Sequence, residues 1–232
     1  MTSNSSLGYI ESAQTLLGAA GRQWSQAELL RAAEAGQLRN TGWPIGLVIQ
    51  REGLSPTPTA DGIEARLEYY RNTGSTWNDY WVFKRDGSYY VVRLFEENFE
   101  EPSYRSSRGH PERPLWFDMR LWRIAEVVLH SATIYGALGV SPSEPYLLAA
   151  NHGGLDGREL ATSDLRKYVG PGRICRVTQS RWQREVTQDL VTSTLKQIVY
   201  DISNELFMLF DFFDISRQAV NEIVDDFLRS RL

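Results

Sequence analysis

The sequence predicts an α+β protein with a central, mostly antiparallel sheet and helices at both ends of the chain. Three observations predict this class. Residues 77–97 hold two aromatic and β-branched runs around the turn-forming pair Asp86 and Gly87, which is the pattern of a β-hairpin. Residues 118–138 and 185–210 repeat apolar side chains at helical spacing. Helices that flank a run of strands, without strict alternation, are typical of the α+β class.

Two short helices are predicted before the hairpin. The first covers residues 11–20, and the second begins at Ser25 and ends near Gly36. Glu28 stands three residues after Ser25, and this spacing is that of the capping box at the start of many helices.

Between these helices and the hairpin, the sequence predicts a strand and a loop. Residues 45–50 follow a turn-forming Thr-Gly-Trp-Pro stretch and read as a strand, and residues 55–62 read as an extended loop. Residues 63–70 fit either one helical face or a strand. Alternation along the hairpin makes both of its faces largely apolar, so we expect helices to cover it on either side.

The elements after the hairpin follow in a simple order. A polar loop at residues 98–114 precedes the helix at 118–138, which Gly139 ends. Further strands are predicted at 146–150, in a short segment after the glycine-rich turn 153–157, and at 173–180, and further helices at 185–210 and after a break at 211–216. Residues 1–184 are therefore a predicted α+β core domain, and residues 185–232 a helical pair that packs on it as one compact unit.

Composition excludes several classes of protein. The chain has 232 residues, of which 42% are hydrophobic and 23% charged, as in ordinary globular proteins. The first twelve residues contain no basic segment followed by an apolar one, and the most apolar run, residues 206–213, is too short to span a bilayer. The single cysteine argues against an internal disulfide. We expect a cytoplasmic protein with no membrane association.

Candidate catalytic and metal-binding residues are sparse. The three histidines stand apart in the sequence, and none lies in a zinc-binding motif. An enzyme would use the helical pair Glu126 and His130, or a hydrolase- or nuclease-like site around Asn151 and His152, where two glycines follow. The arginines near Cys175 favour a lowered thiol pKa, unless this residue is half-buried in a strand. The sequence therefore predicts no cofactor and no metal, and it favours a protein without catalytic activity.

Arginine and aromatic residues cluster in two segments, as on surfaces that follow a nucleic-acid backbone and stack on its bases. We expect Trp182 to stack on bases and the arginines around it to contact phosphates. The predicted contact residues are Arg173, Arg176, Arg181, Trp182 and Arg184, with Arg105, Arg108 and Arg113 of the polar loop as auxiliary contacts.

The C-terminal segment leaves two alternatives open. Residues 185–232 carry nine acidic side chains against four basic ones, although the net charge of the whole chain is only −4. One alternative is that the arginine segments pair with these acidic helices inside the fold. The other is a docking surface for a partner protein, through the charged segments or through a homodimer or partner contact on residues 185–232.

Five segments together resemble one type of bacterial protein. They are the stretch RAAEAGQLRNTGWPIGLVIQREGLSPTPTADGIEA, the aromatic hairpin, LWRIAEVVLHSATIYGALGV, NHGGLDGREL and LFMLFDFFDI. They resemble the region that follows the Schlafen-type AlbA_2 DNA-binding domain in bacterial proteins described as ATP-binding or helix-turn-helix proteins. The similarity covers residues 28–232, and the AlbA_2 domain itself has no counterpart here. The resemblance implies a chain that is this downstream region on its own or a standalone relative, and it assigns no catalytic residue.

These observations lead to a functional expectation. The sequence predicts a non-catalytic accessory or regulatory module that works beside nucleic-acid machinery, in transcriptional control or phage defence. DNA or RNA, a partner protein, or a second copy of the chain are its candidate partners.

Overall fold

The computed structural model describes most of the chain. The described residues are 7–18, 21–38, 40, 42–70, 76–99, 109–164, 167–211 and 213–230, without the side chains of residues 68–70 and 76–78. The strands are β1 (Tyr9–Leu16), β2 (Thr57–Pro58), β3 (Gly62–Tyr70), β4 (Thr76–Lys84), β5 (Tyr89–Leu94), β6 (Pro114–Trp116), β7 (Tyr146–Gly153), β8 (Glu159–Ala161) and β9 (Gln179–Val186). The helices are α1 (Gln26–Ala35), α2 (Phe117–Ala137), α3 (Gln188–Phe207) and α4 (Arg217–Arg229), with a short 3₁₀ helix at Glu96–Phe99.

Seven strands form one antiparallel sheet in the order β2-β3-β4-β5-β1-β7-β9. The strand nearest the N-terminus lies between β5 and β7, so it joins the hairpin to the strands that follow α2. Strands β6 and β8 form a separate parallel pair. With helices in both end regions of the chain, the architecture confirms the predicted α+β class.

The four helices form a single layer on one face of the sheet. Helix α2 is central, because α1, α3 and α4 all contact it. Alternate strand residues face this layer: Gln14 of β1 hydrogen-bonds the carbonyl of Ser131, and Tyr89 of β5 packs on His130, 4.9 Å between ring centres. Burial therefore alternates along much of the sheet, as in β5, where every second residue is buried.

The aromatic hairpin confirms one prediction and corrects another. Strands β4 and β5 flank the Asp86 and Gly87 turn and lie in the middle of the sheet. Trp81 and Phe83 are completely buried beneath the helix layer, whereas Tyr80 and Val82 on the other face remain partly exposed. Helices therefore cover one face of the hairpin within the described part of the chain, and the expectation of helices on either side is wrong. The apolar residues of the second face are only half-buried, by neighbouring side chains of the sheet.

The predicted helix at residues 11–20 is wrong, because β1 covers residues 9–16; residues 19 and 20 lie outside the described residues. Ile10 and Leu16 face the core, as expected for a strand, but the buried positions between them are Ser12 and Gln14. These polar residues conceal the two-residue period of the strand from an analysis based on hydrophobicity. Gln14 is tolerated inside because its side-chain amide donates to a main-chain carbonyl of α2.

The predicted strand at residues 45–50 is also wrong. Its main-chain groups bond side chains instead of a neighbouring strand: the amide of Ile45 donates to Glu126, and that of Val48 donates to Gln37. The carbonyl of Leu47 accepts from the indole of Trp81 at 3.0 Å. These contacts hold the segment against α1, α2 and β4 as an irregular connection.

The strand predicted at residues 173–180 lies farther along the chain, as β9. Ile174 forms only an isolated antiparallel bridge with Glu159 of β8, so the apolar stretch that suggested a strand belongs to a packed loop. In β9 the buried side chains are Ser180, Trp182 and Val186, between exposed polar residues. The following helix, α3, therefore begins at Gln188 and not at residue 185.

The predicted capping box is present at the start of α1. The hydroxyl of Ser25 accepts from the amide of Glu28, and the Glu28 carboxylate accepts from the amide of Ser25 at 2.7 Å. The Ser25 hydroxyl also donates to the Glu28 carboxylate at 2.6 Å, and this bond, together with the one from the Ser25 amide, lowers the pKa of Glu28. Helices α2, α3 and α4 match the predicted positions within a few residues.

Replacement of Ser25 by alanine is expected to lower the free energy of unfolding by about 1 kcal/mol, because the amide of Glu28 loses its acceptor. Denaturant titration measures this change. Ser193→Ala is the control, since this exposed helix hydroxyl only returns bonds to the carbonyls of Asp189 and Leu190 in its own helix. Equal losses in the two variants would contradict a role for the cap.

Candidate interaction surface

The sheet face opposite the helix layer carries tyrosines and aliphatic residues in an unbroken array across four strands. We call this surface the open face. Its centre is partly exposed, and charged residues lie among and around the central ones, all exposed except the half-buried Glu11 and Glu64. The central residues are Tyr9, Ala13, Tyr80, Val82, Tyr90, Val92, Leu147 and Ala149, and the charged residues are Glu11, Glu64, Arg66, Lys84, Arg181 and Glu185.

Hydrogen bonds between strands hold the tyrosines of the open face in place. The Tyr90 hydroxyl donates to Glu11 at 2.6 Å, and the same carboxylate accepts from the Asn151 amide at 2.6 Å. The Tyr80 hydroxyl donates to Glu64 at 2.9 Å. Burial, together with the adjacent carboxylate, raises the pKa of both tyrosines. The phenols are therefore fixed donors, and their rings are presented in defined positions.

Two shallow depressions lie on this face. One has a volume of about 440 Å³ and runs from Tyr90 across Ala149 to Arg181. The other, of about 260 Å³, is bounded by Val82, Tyr90 and Leu147. Both owe their depth to small residues of the central strands, Ala13 and Ala149, between larger neighbours.

A glycine on β7 shapes the end of the same surface. A methyl group at Gly153 would lie 2.2 Å from the ring of Tyr9, so the tyrosine ring lies directly over the main chain of the neighbouring strand. Any larger residue at this position would displace the ring.

Arg173 and Arg176, two predicted contact residues, lie against the break between α3 and α4. The guanidinium of Arg176 forms an ion pair with Asp211 and lowers the pKa of that carboxyl group. The amide of Ile174 donates to the same carboxylate at 3.0 Å. Arg173 lies over the ring of Phe213, 4.9 Å from its centre. Both arginines therefore hold their own loop against the C-terminal segment.

The predicted residues of β9 point to two different faces. Arg184 faces the helices and pairs with Asp201 of α3 at 3.1 Å. Trp182 lies in the core with 8% of its surface exposed, which does not fit the predicted base stacking, because a base needs one whole ring face. Arg181 is exposed on the open face and has no ion-pair partner among the described residues.

Of the three arginines predicted as auxiliary contacts, one lies within the described residues. Arg113 is half-buried and donates to the carbonyl of Asp156 at 2.7 Å. Arg105 and Arg108 lie outside the described residues. The structure therefore brings Arg173 and Arg176 together but does not join them with Arg181 into one basic surface.

The residues considered for catalysis do not converge. Asn151 faces the open face, whereas the adjacent His152 points into the core on the helix side. His130 is buried beside Tyr89, and Glu126 is engaged by the amide of Ile45 and by Arg123. Burial lowers the pKa of His130 to about 4 and that of His152 to about 3.

Cys175 also lacks the surroundings of a reactive thiol. Its side chain is buried, and this burial raises the thiol pKa instead of lowering it. It lies in a loop, bonded to the carbonyl of Val177 at 3.4 Å, and not in a strand. Within the described ranges, no group of three or more histidine, cysteine, aspartate or glutamate side chains could hold a metal ion.

A network of buried charges at one end of the sheet was not anticipated from the sequence. Arg120 bonds Glu97 at 3.1 Å, and Arg123 bonds Glu126 at 2.6 Å. Glu96 contacts both of these arginines, which hold the pKa of its carboxyl group far below the usual range. Arg93 and Asp79 of the hairpin strands complete the network, together with the indole and carbonyl of Trp43. One feature of the sequence could have indicated this network. Arg120, Arg123 and Glu126 have helical spacing, which puts their charges on the buried side of α2.

The C-terminal helices bury most of their apolar residues within this chain. Phe207, Phe210 and Phe227 are completely buried, and Val220 and Val224 face the same core. A groove of about 830 Å³ remains between α2, α3 and α4, next to a non-helical residue, Thr194, that kinks α3. Its two cations are engaged: Lys196 pairs with Asp225 at 2.7 Å, and Arg217 lies over the ring of Tyr200.

Comparisons of this chain with family models, curated proteins and solved structures find no match. Within the described residues, no helix combines the length and the apolar character needed to cross a membrane.

Proposed function

We propose that this chain is a non-catalytic interaction module that receives a partner protein on the open face of its sheet. The observation that carries the proposal is the open face itself, where three ordered tyrosines and several aliphatic residues stay partly exposed beside shallow depressions. Aromatic residues at the centre and charged residues at the rim are typical of protein interfaces.

The charges of the open face favour a protein over a nucleic acid. Arg66, Lys84 and Arg181 are balanced by Glu11, Glu64 and Glu185. Two of these carboxylates accept hydrogen bonds from the tyrosine hydroxyls, so they lie beside the rings on which bases would stack. Affinity for nucleic acid depends mainly on uncompensated positive charge, which the described residues of this surface lack.

The setting of the proposed module comes from the resemblance to the region that follows an AlbA_2 domain. On that basis we propose an accessory or regulatory role beside nucleic-acid machinery, in transcriptional control or phage defence. Direct contact of the arginine segments with nucleic acid stays a prediction. The pairing of Arg173, Arg176 and Arg184 with the C-terminal segment reduces the positive charge that they can offer.

Val92→Arg at the centre of the open face separates the two kinds of partner. An added cation is expected to weaken a protein contact at least tenfold, because an apolar contact is lost and a charge is buried. The same cation would strengthen binding to an oligonucleotide. Val177→Arg is the control, since this valine is exposed on the packed loop beyond the sheet.

The test has two stages. A partner retained from bacterial lysate by the wild-type chain is purified, and its affinity is then measured by calorimetry for the wild type and for both variants. Mixed-sequence single- and double-stranded DNA and RNA are titrated across a salt series in parallel. Selective weakening by Val92→Arg supports the proposal. An unchanged protein affinity, or oligonucleotide binding that Val92→Arg strengthens, would overturn it.

A further inference from the structure

The two edges of the seven-stranded sheet differ in form. At one edge the two-residue strand β2, which includes Pro58, pairs only with Ile63 and Glu64, so within the described residues the rest of β3 has no strand on that side. The other edge is β9, an eight-residue strand that pairs with β7 on one side. Within the described residues, no main-chain bond is made on its other side. An extended edge of this length can accept another strand.

Two charged residues of β9 remain without ionic partners on the open face. Arg181 and Glu185 are both exposed and form no ion pair within the described part of the chain. They lie four residues apart on one extended strand, so about 13 Å of main chain separates them and they cannot pair with each other. The other arginine of β9, Arg184, is already paired with α3.

The spacing of these charges fits a second copy of the same strand. When β9 pairs antiparallel with β9 of another copy about a two-fold axis at Gln183, Arg181 of each copy lies opposite Glu185 of the other. This register uses nearly the whole strand and forms two opposite-charge pairs. Moving the two-fold axis by two residues, to Arg181 or to Glu185, sets that residue opposite its own copy, so like charges meet. Sliding one strand by two residues leaves Arg181 opposite an uncharged residue.

We propose that two copies of this chain associate through β9, in the register that pairs Arg181 with Glu185 of the other copy. The two sheets then form one continuous sheet of fourteen strands, because each contributes seven. Both helix layers lie on the same side, and the two open faces join into one surface. This assembly goes beyond the proposed function and does not depend on it, since it uses the edge of the sheet and not the centre of its face.

Charge reversal tests the register directly. Arg181→Glu and Glu185→Arg each place like charges opposite one another twice, and each is expected to weaken self-association about tenfold or more. An equimolar mixture of the two variants restores both opposite-charge pairs, so it is expected to form a heterodimer with nearly wild-type affinity. Lys84→Glu is the matched control, because it reverses an exposed cation of the same face on an interior strand.

Sedimentation of the full chain over a concentration series measures these affinities. A wild-type mass of one chain at the highest soluble concentration overturns the proposal. A dimer that neither reversal weakens, or variants that fail to recombine, also overturn it. The test of the proposed function has a separate readout, since Val92→Arg on β5 leaves the β9 edge intact.

A covalent probe gives a second measurement of the register. Gln183→Cys places a thiol on the proposed two-fold axis, where directly opposite Cα atoms lie about 4.5–5.5 Å apart, within the range for a disulfide. Oxidation is expected to link two copies of this variant, whereas Arg181→Cys, which lies opposite Glu185, remains unlinked. The native Cys175 is buried and leaves the readout clear. Equal crosslinking of both variants would exclude this register.

Discussion

Replacement of Arg120 by methionine is expected to lower the free energy of unfolding by about 3–5 kcal/mol. Arg120 is completely buried, and it bonds Glu97, whose side chain is also completely buried. Methionine retains most of the volume over the ring of Phe95, which lies 4.3 Å from the guanidinium carbon. The loss therefore comes mainly from the carboxylate of Glu97, which stays buried without its partner.

The double variant Arg120→Met, Glu97→Gln is expected to recover much of this loss. Glutamine carries no charge, and its carbonyl oxygen can still accept from the amide of Trp116, as Glu97 does at 2.8 Å. Denaturant titration of the wild type, both single variants and the double variant gives the coupling energy. Additive effects of the two substitutions would contradict a direct interaction.

The penalty of Arg120→Met is also expected to shrink as the pH falls. Burial already raises the pKa of Glu97 in the wild type, and the loss of Arg120 removes the main charge that opposes this shift. The folded variant then takes up a proton at a higher pH than the unfolded chain, which favours folding at low pH. Arg184→Met is the control: this arginine is half-exposed in its ion pair with Asp201, so its replacement is expected to change stability by about 1 kcal/mol or less.

Acidification below pH 6.5 is expected to destabilise the fold through two buried histidines. His130 and His152 have pKa values of about 4 and about 3, because burial disfavours the charged ring, and Arg120 adds to the effect at His152. The unfolded chain takes up these two protons near pH 6.5, whereas the folded chain does not. Each histidine therefore removes up to about 1.4 kcal/mol of stability per pH unit between pH 6.5 and its folded pKa.

Two carboxyl groups oppose this trend. Burial raises the pKa of Asp79 and Glu97, so the folded chain takes up these protons first and gains relative stability as the pH falls. Single variants isolate the histidines from this background. The slope of unfolding free energy against pH between 6.5 and 5 is expected to fall by about 1.4 kcal/mol per unit in His152→Gln or His130→Gln.

Histidine ring-proton NMR shifts measured against pH provide an independent check on the wild type. Midpoints of about 4 and about 3 are expected for the two residues. A midpoint near 6.5 for either ring, or an unchanged slope in its variant, would show that the ring is open to water in the folded protein.

Local signals predicted much of the fold. The Asp86 and Gly87 turn, the capping box of α1 and the apolar stripe of α2 each depend on residues close together in the sequence. Hairpins and helix starts form from such short-range contacts, so their patterns survive in the sequence alone. The failures at β1 and β9 share one cause. In both strands, polar residues interrupt the apolar pattern for reasons that lie outside the segment. In β1, α2 accepts a hydrogen bond from the buried Gln14. In β9, polar residues are tolerated because the strand lies at the edge of the sheet.

The surface could be predicted much less well. The arginine clusters indicated a nucleic-acid face, but sequence proximity does not show whether a cation faces solvent or an acid far along the chain. Arg176 pairs with Asp211 and Arg184 pairs with Asp201, as the alternative of internal pairing proposed. Only Arg181 of the residues predicted on β9 lies exposed on the open face.

By itself, the sequence determined the α+β class, the central hairpin and the approximate positions of the four helices, because periodicity and turn residues act locally. The tertiary structure decided which face of the sheet the helices cover and which charges are neutralised inside the fold. Both depend on contacts between segments far apart in the chain, such as Gln14 with Ser131 or Arg176 with Asp211. It also decided that one edge of the sheet stays unpaired within the described residues, and that Arg181 and Glu185 lie along it.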